Sequence, residues 1–179
     1  MSSKPGAGHT VEKAIGIVEK SIVIDYGCGI GRIAKELIKR YGCYVVGVDI
    51  SQNMRALAVG YVQSNRFFAC SPEILDALIE RGFAADVAVA VWVLQHCVIP
   101  SDDVERIHRA LTPEGKLFVL NNIYRAVPTK EADWVNDGID IKALLAKRLT
   151  ILEEGSLPED VTPPRLRGII FWASLMKQK

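Results

Sequence analysis

At 179 residues, 49% of them hydrophobic and 24% charged, the chain has the length and composition of one ordinary globular domain with a sizeable core. A formal net charge of +1 gives no electrostatic case for a nucleic-acid partner, and no apolar run approaches the roughly 20 residues of a membrane-spanning helix. The four cysteines (Cys28, Cys43, Cys70, Cys97) form no CxxC pair and no His/Cys ligand spacing, which argues for structural thiols, no metal and a reducing, cytoplasmic setting.

Residues 1–9 are small and polar, lack the apolar stretch of a signal peptide, and read as a flexible tail ahead of a single domain over 10–179. Val11, Ala14, Ile15 and Val18 have helical spacing and predict a helix over Thr10–Lys20. Ser21–Tyr26 reads as a buried strand, Arg32–Arg40 as a helix stopped by Tyr41-Gly42, and Tyr44–Asp49 as a second strand. Ser51 caps a helix to about Gln63, Asn65–Cys70 reads as a third strand, and Ser71-Pro72 opens a helix over Glu73–Arg81. Asp86–Leu94 is the most apolar run and predicts a central strand buried on both faces. A helix from Ser101 to about Leu111, a tight turn at Thr112–Gly115 and a fifth strand over Lys116–Asn121 follow. Beyond these, Ile139–Lys147 has a helical pattern, Arg148–Glu153 and Gly168–Met176 read as strands, and Leu157–Arg165, with three prolines, as a loop. Strand and helix alternate as in an α/β doubly wound parallel sheet with helices on both faces.

The strand at Val23-Ile24-Asp25 runs into Tyr26-Gly27-Cys28-Gly29-Ile30-Gly31-Arg32, three glycines at alternate positions before a helix. Such glycines let the backbone turn sharply and touch a ligand, and the helix start offers free N–H groups. A dinucleotide turn, GxGxxG, would place its third glycine at position 32; here that position is arginine and the pattern is GxGxG. Asp49 ends the second strand beside the turn, where a carboxylate can accept from two vicinal hydroxyls.

This spacing and context resemble motif I of class I S-adenosylmethionine-dependent methyltransferases. The resemblance continues over roughly Ile17–Lys177. Val45–Ser51 looks like that family's second strand, Ala85–His96 like its fourth, and Leu111–Leu117 like its turn into strand five. It implies a Rossmann-like, seven-stranded, mostly parallel sheet whose last strand is antiparallel. It also implies S-adenosyl-L-methionine as cofactor and S-adenosyl-L-homocysteine as product. By resemblance, Asp49 holds the ribose hydroxyls, and Gly27, Cys28 and Gly29 give backbone contact. Asp25 positions the methionine end or braces the loop, and Ile50 and Met54 pack on adenine or simply on the core. Many relatives carry an Asp after strand three; Cys70 and Ser71 stand there instead, so the adenine contact falls to backbone groups or Ser71. Val91 and Trp92 flank the cofactor through their backbone. Arg32 reaches a cofactor or substrate anion, or else packs at the surface.

Ligands of an open parallel sheet bind beyond the carboxyl ends of its strands, a border that here includes Trp92–Val98 and Asn121–Trp134. His96 is a candidate general base or a packing histidine. Tyr124 and Arg125 are candidates to orient the acceptor, with Pro128 and Trp134 as parts of a lid. No Asn-Pro-Pro-Tyr follows strand four, no double-glutamate loop occurs, and Asn121 with Asn122 makes no magnesium site. What remains is methyl transfer to O, N or C of a small-molecule acceptor by in-line displacement, with neither nucleic acid nor membrane as partner. A single N-terminal cap helix leaves an open pocket or one completed by a second copy in a homodimer. The rival readings are a non-catalytic cofactor-binding or assembly protein and a nicotinamide-dependent oxidoreductase; the latter lacks a glycine at 32 and a Tyr-x-x-x-Lys pair.

Overall fold

The β-branched pairs Val23-Ile24 and Val45-Val46 are buried on both sides, as the inner strands of a parallel sheet require. In the computed structural model, which describes residues 16–128, 134–160 and 162–178, they belong to β1 (Ile22–Tyr26) and β2 (Tyr44–Val48). The other strands are β3 (Phe67–Cys70), β4 (Ala85–Val91), β5 (Leu111–Asn122), β6 (Tyr124–Pro128), β7 (Trp134–Asp140), β8 (Leu149–Gly155) and β9 (Ile170–Lys177). The α-helices are α1 (Arg32–Tyr41), α2 (Gln52–Val62), α3 (Pro72–Glu80), α4 (Pro100–Ala110) and α5 (Ile141–Ala146).

Seven strands form one sheet in the order β3-β2-β1-β4-β5-β9-β8. β1 to β5 pair in parallel, and β9 runs antiparallel between β5 and β8. Alternate residues of each strand feed opposite faces. Val23, Val45, Val87 and Val89 pack with Ala34 of α1 and Val62 of α2 on one face. Ile24, Val46, Ala88 and Ala90 pack with Leu75 of α3, Val104 and Ile107 of α4, and Leu145 of α5 on the other. The expected architecture is present, with its antiparallel strand second from the edge. No helix among the described residues is long and apolar enough to cross a membrane.

Local chemistry places the helix starts. Ser51 Oγ accepts from Met54 N–H (3.3 Å), Ser71 Oγ from Ile74 N–H (3.4 Å), and Asp140 Oδ1 from Ala143 N–H (2.8 Å). α1 has no such cap: its first flanking residue is Gly31, at φ +82°. Asp25, six positions earlier, takes over by accepting from Ala34 N–H at 3.1 Å.

Three expectations need correction. Residues 16–20 form a turn, not the end of a helix, with Lys20 at φ +68°; the rest of the proposed helix, and the tail, lie outside the described residues. Thr112–Gly115 does not precede β5 but bulges within it, since the β4–β5 register jumps from Ala85↔Leu111 to Val87↔Lys116. No element was expected between β5 and Ile139, yet strands occur there. β6 and β7 pair as an antiparallel hairpin, Ala126↔Asn136 and Val127↔Val135, outside the main sheet. A five-residue run ending in proline carries little strand signal by itself, so this hairpin exists through pairing rather than propensity.

Candidate functional site

The three glycines of the turn do different jobs. A Cβ on Gly27 (φ +74°) would lie 2.3 Å from Val93 Cγ2, so the loop after β4 sits directly on the turn. A Cβ on Gly31 would lie 2.6 Å from Val62 Cγ2, which makes the third glycine the contact between α1 and α2. Around Gly29 (φ +53°) a Cβ would meet nothing within 4 Å. Only this glycine turns its missing side chain toward open space.

Asp49 is held by the same turn. Its Oδ2 accepts from Gly29 N–H and its Oδ1 from Ser51 N–H, each at 2.9 Å. Each oxygen keeps a lone pair to spare. The Asp49 backbone is also fixed, with its N–H on Cys70 O (3.1 Å) and its carbonyl accepting from Arg55 Nη1 (2.7 Å). Gly27 and Cys28 both donate their N–H groups to Val48 O, at 2.7 and 3.0 Å, which locks the ends of β1 and β2 together.

A cleft of about 450 Å³ opens beside this turn. Gly27, Val48, Asp49 and Ile50 line one side, Pro72 and Glu73 of α3 the next, and Val93 with His96–Ile99 a third. Its remaining wall is polar. Tyr26 OH donates to Asp103 Oδ1, while Arg106 donates from Nη1 to both Tyr26 OH and Asp103 Oδ1 at 3.0 Å. Arg106 Nε donates to Asp76 Oδ2 at 2.9 Å. Burial, joined by the Asp103 carboxylate, pushes the Tyr26 phenol far above its usual range, so it remains a neutral donor. Asp102 lines the cleft beside this network.

The loop after β4 carries the other polar groups. Trp92 adopts φ +58°, left-handed for a bulky residue, and its N–H donates to Leu120 O at 2.8 Å. Leu94–His96 then forms one 3-10 turn. Gln95 is buried within it, Oε1 accepting from Asn122 N–H (2.8 Å) and Nε2 lying 3.1 Å from His96 Nε2. Burial lowers the His96 pKa, opposed by a hydrogen bond with the Ala126 backbone.

Among the residues singled out from the sequence, Gly27, Asp49, Ile50 and His96 converge on the cleft. Asp25 lies beneath it, 1% exposed, its carboxyl pushed up to about 7 by burial against the opposing Ala34 N–H, with the Asp49 charge adding to the rise. Cys28 and Cys70 are buried, and burial raises their thiols to about 12 and 11, so both stay protonated. Ser71 is engaged as the cap of α3, and Met54 stands half-exposed in the first turn of α2. Val91 ends β4 opposite Leu120. Arg32 opens α1 and does not line the cleft. Tyr124 and Arg125 sit on β6, away from the cleft lining. Arg125 Nε pairs with Asp137 at 2.9 Å and its Nη1 donates to Val98 O, tying the hairpin to the loop after β4. The side chain of Trp134 lies outside the described residues.

Sequence reasoning missed Tyr26, Glu73, Asp102, Asp103 and Arg106 as cleft residues. The available signal was a tyrosine closing a buried strand and an Asp/Arg pair at i,i+3 on α4.

A profile of the methyltransferase domain matches residues 24–119, more than half of the chain. Phosphoethanolamine N-methyltransferase 2 of Caenorhabditis elegans is 29% identical over 99 residues, 54% of this chain and 23% of that protein. Ubiquinone biosynthesis O-methyltransferase of Coxiella burnetii is 25% identical over 109 residues, 58% of this chain and 45% of the relative. The chain thus spans less than half the length of these two curated relatives. N-methyltransferase NodS of Bradyrhizobium japonicum, solved with S-adenosyl-L-homocysteine, shares the fold with a TM-score of 0.68 at 12% identity, over 96% of this chain and 85% of that one. So does the [4+2]-cyclase SpnF, with a TM-score of 0.72 at 16% identity, over 95% and 79%. By its matching profile, its glycine turn with Asp49 beside it and its strand order, the chain belongs to the class I S-adenosylmethionine-dependent methyltransferases.

Proposed function

We propose that this chain transfers a methyl group from S-adenosyl-L-methionine to a small-molecule acceptor, at O, N or C. The observation that carries the reading is Asp49. Two backbone N–H groups fix its carboxylate at the cleft, and each oxygen retains a lone pair for a vicinal hydroxyl. Gly29 supports the same reading, because its open flank lets a ligand approach the backbone.

In this proposal Asp49 takes the ribose, and Ile50 with Pro72 provides the apolar wall for adenine. Glu73 and Asp102 supply the carboxylates for the exocyclic amine that an Asp after β3 would otherwise give; both line the same cleft. The Ser71 hydroxyl holds the Glu73 carboxyl below its usual range, so it is ionised at neutral pH. Asp25 braces α1 and the turn above it. When bound, S-adenosyl-L-methionine supplies a sulfonium methyl open to in-line attack. The chain's own contribution is alignment and exclusion of water, since no charge needs to be created on the protein. His96, at the cleft, is the group placed to take a proton from the acceptor. Tyr124, on the hairpin, is proposed to contact that acceptor, with Arg125 holding the hairpin in place.

We further propose a single domain over residues 10–179 and a reducing, cytoplasmic setting. The sheet drawing strands from Ile22 to Lys177 supports the first, and four cysteines that are all free thiols support the second. Calorimetric titration tests the cofactor reading. S-adenosyl-L-homocysteine is expected to bind and NAD to give no heat; no binding of the homocysteine product or of S-adenosyl-L-methionine overturns the proposal.

A further inference from the structure

The turn after β4 contains a hydrogen-bond chain whose direction can be worked out. Asn121 is fully buried at the end of β5; its Oδ1 accepts from Gln95 N–H (3.4 Å) and its Nδ2 donates to Asn122 O (2.9 Å). Gln95 Oε1 accepts from Asn122 N–H at 2.8 Å. An amide flipped the other way would set its NH2 against that N–H, donor to donor, so the orientation of Gln95 follows from the network. Its NH2 end therefore faces His96 Nε2 at 3.1 Å.

An amide nitrogen has no lone pair to offer, so His96 Nε2 must accept. The proton of the neutral ring then sits on Nδ1; a hydrogen bond with the Ala126 backbone also reaches the ring. We propose that Gln95 is a positioning residue that holds His96 as the neutral Nδ1–H tautomer, its Nε2 lone pair kept for the methyl acceptor, which must displace the amide to reach it. Protonation of the ring would bring Nε2–H against the Gln95 NH2 with no acceptor between them.

Charged and titratable groups surround the ring on several elements. Cys97 follows it in the chain, Asp102, Asp103 and Arg106 line the same cleft from α4, and Arg125 with Asp137 approaches from the hairpin. Burial lowers the pKa of the ring and the Ala126 backbone bond raises it. The tautomer itself is set by the Gln95 amide. The base role of His96 rests on the proposed methyl transfer, but the tautomer does not.

The test is nitrogen NMR of the full chain labelled with 15N-histidine and titrated in pH; His96→Gln assigns its signals among the three histidines. In the wild type, His96 should show the neutral Nδ1–H pattern and titrate below the ordinary value of about 6.5. Gln95→Leu removes the donor, so the pKa should rise and the tautomers mix. Gln95→Glu offers an acceptor to the Nε2–H of the imidazolium and should raise the pKa by about one unit or more. The acid limb of the pH–rate profile should move up with it. A wild-type Nε2–H tautomer, or a His96 titration unchanged by Gln95→Glu, overturns the proposal. The wild-type spectrum decides the matter alone if the variants do not fold. Absent methyl transfer with the tautomer intact counts against the proposed function only; turnover with the other tautomer counts against this inference only.

Discussion

Where β1 and β2 end, the chain is closed by backbone. Gly27 and Cys28 N–H share the Val48 carbonyl, Gly29 and Ser51 N–H hold Asp49, and Val93 rests on the flank of Gly27. Beyond β5 the closure is made by side chains instead. Arg125 binds Val98 O and Asp137, and Gln95 spans from Asn122 to His96. Backbone closure gives one fixed shape that suits a constant ligand. Side-chain closure changes with single substitutions and suits the end that, in the proposed reaction, selects the acceptor. The contrast predicts that changes at the turn affect folding and cofactor together, whereas changes at the hairpin act locally.

Gly27→Ala should produce the largest effect, because its Cβ would overlap Val93 and the left-handed backbone adds about 1–2 kcal/mol of strain. Thermal unfolding should show a large drop in Tm, with S-adenosyl-L-homocysteine binding lost. Gly29→Ala sharpens the point: it carries only the backbone strain, so the fold should survive while calorimetry shows weakened binding. Equal destabilisation by the two substitutions would contradict the division of labour between them.

Asp49→Ala comes next. Two charge-assisted bonds of about 1.5–3 kcal/mol each set a loss of cofactor affinity well beyond tenfold. An unchanged dissociation constant would remove Asp49 from the ribose site.

Asp25→Asn should act on stability through pH. The folded chain raises this carboxyl from 3.8 to about 7 and so keeps a proton that the unfolded chain has released. Its stabilising contribution is therefore full below the unfolded pKa of 3.8 and is lost as pH rises toward about 7. Asparagine retains an oxygen for Ala34 N–H without the buried charge, so denaturant unfolding of the variant should vary less with pH across that window. Identical pH dependence would show that another group governs it.

Arg125→Gln should give the smallest change, about 1–2 kcal/mol and confined to the hairpin. Amide exchange should accelerate in β6 and β7 and remain unchanged in β1 and β4. Acceleration across the whole sheet would mean that the hairpin supports the fold rather than decorates it.

The legible parts of this molecule are those written in adjacent residues. Val23-Ile24 announced β1, Ser51 and Ser71 announced their helices through side chains that cap them, and the spacing of Gly27, Gly29 and Asp49 located the turn. The tight turn at Thr112–Gly115 was visible, but its placement inside β5 was not, because register depends on the partner strand. The hairpin was missed for a related reason: Tyr124–Pro128 becomes a strand only opposite Trp134–Asp140.

The sequence by itself determined the α/β alternation, the parallel sheet and the acid beside the glycine turn, since periodicity, capping and glycine spacing act between near neighbours. Tertiary structure alone decided that Gly31 faces Val62, that Tyr26 meets Asp103 and Arg106, and that Gln95 meets His96 between two asparagines. In each case the partner comes from another element or the proton's direction depends on one. Such choices are set by how the elements pack, which no local pattern records.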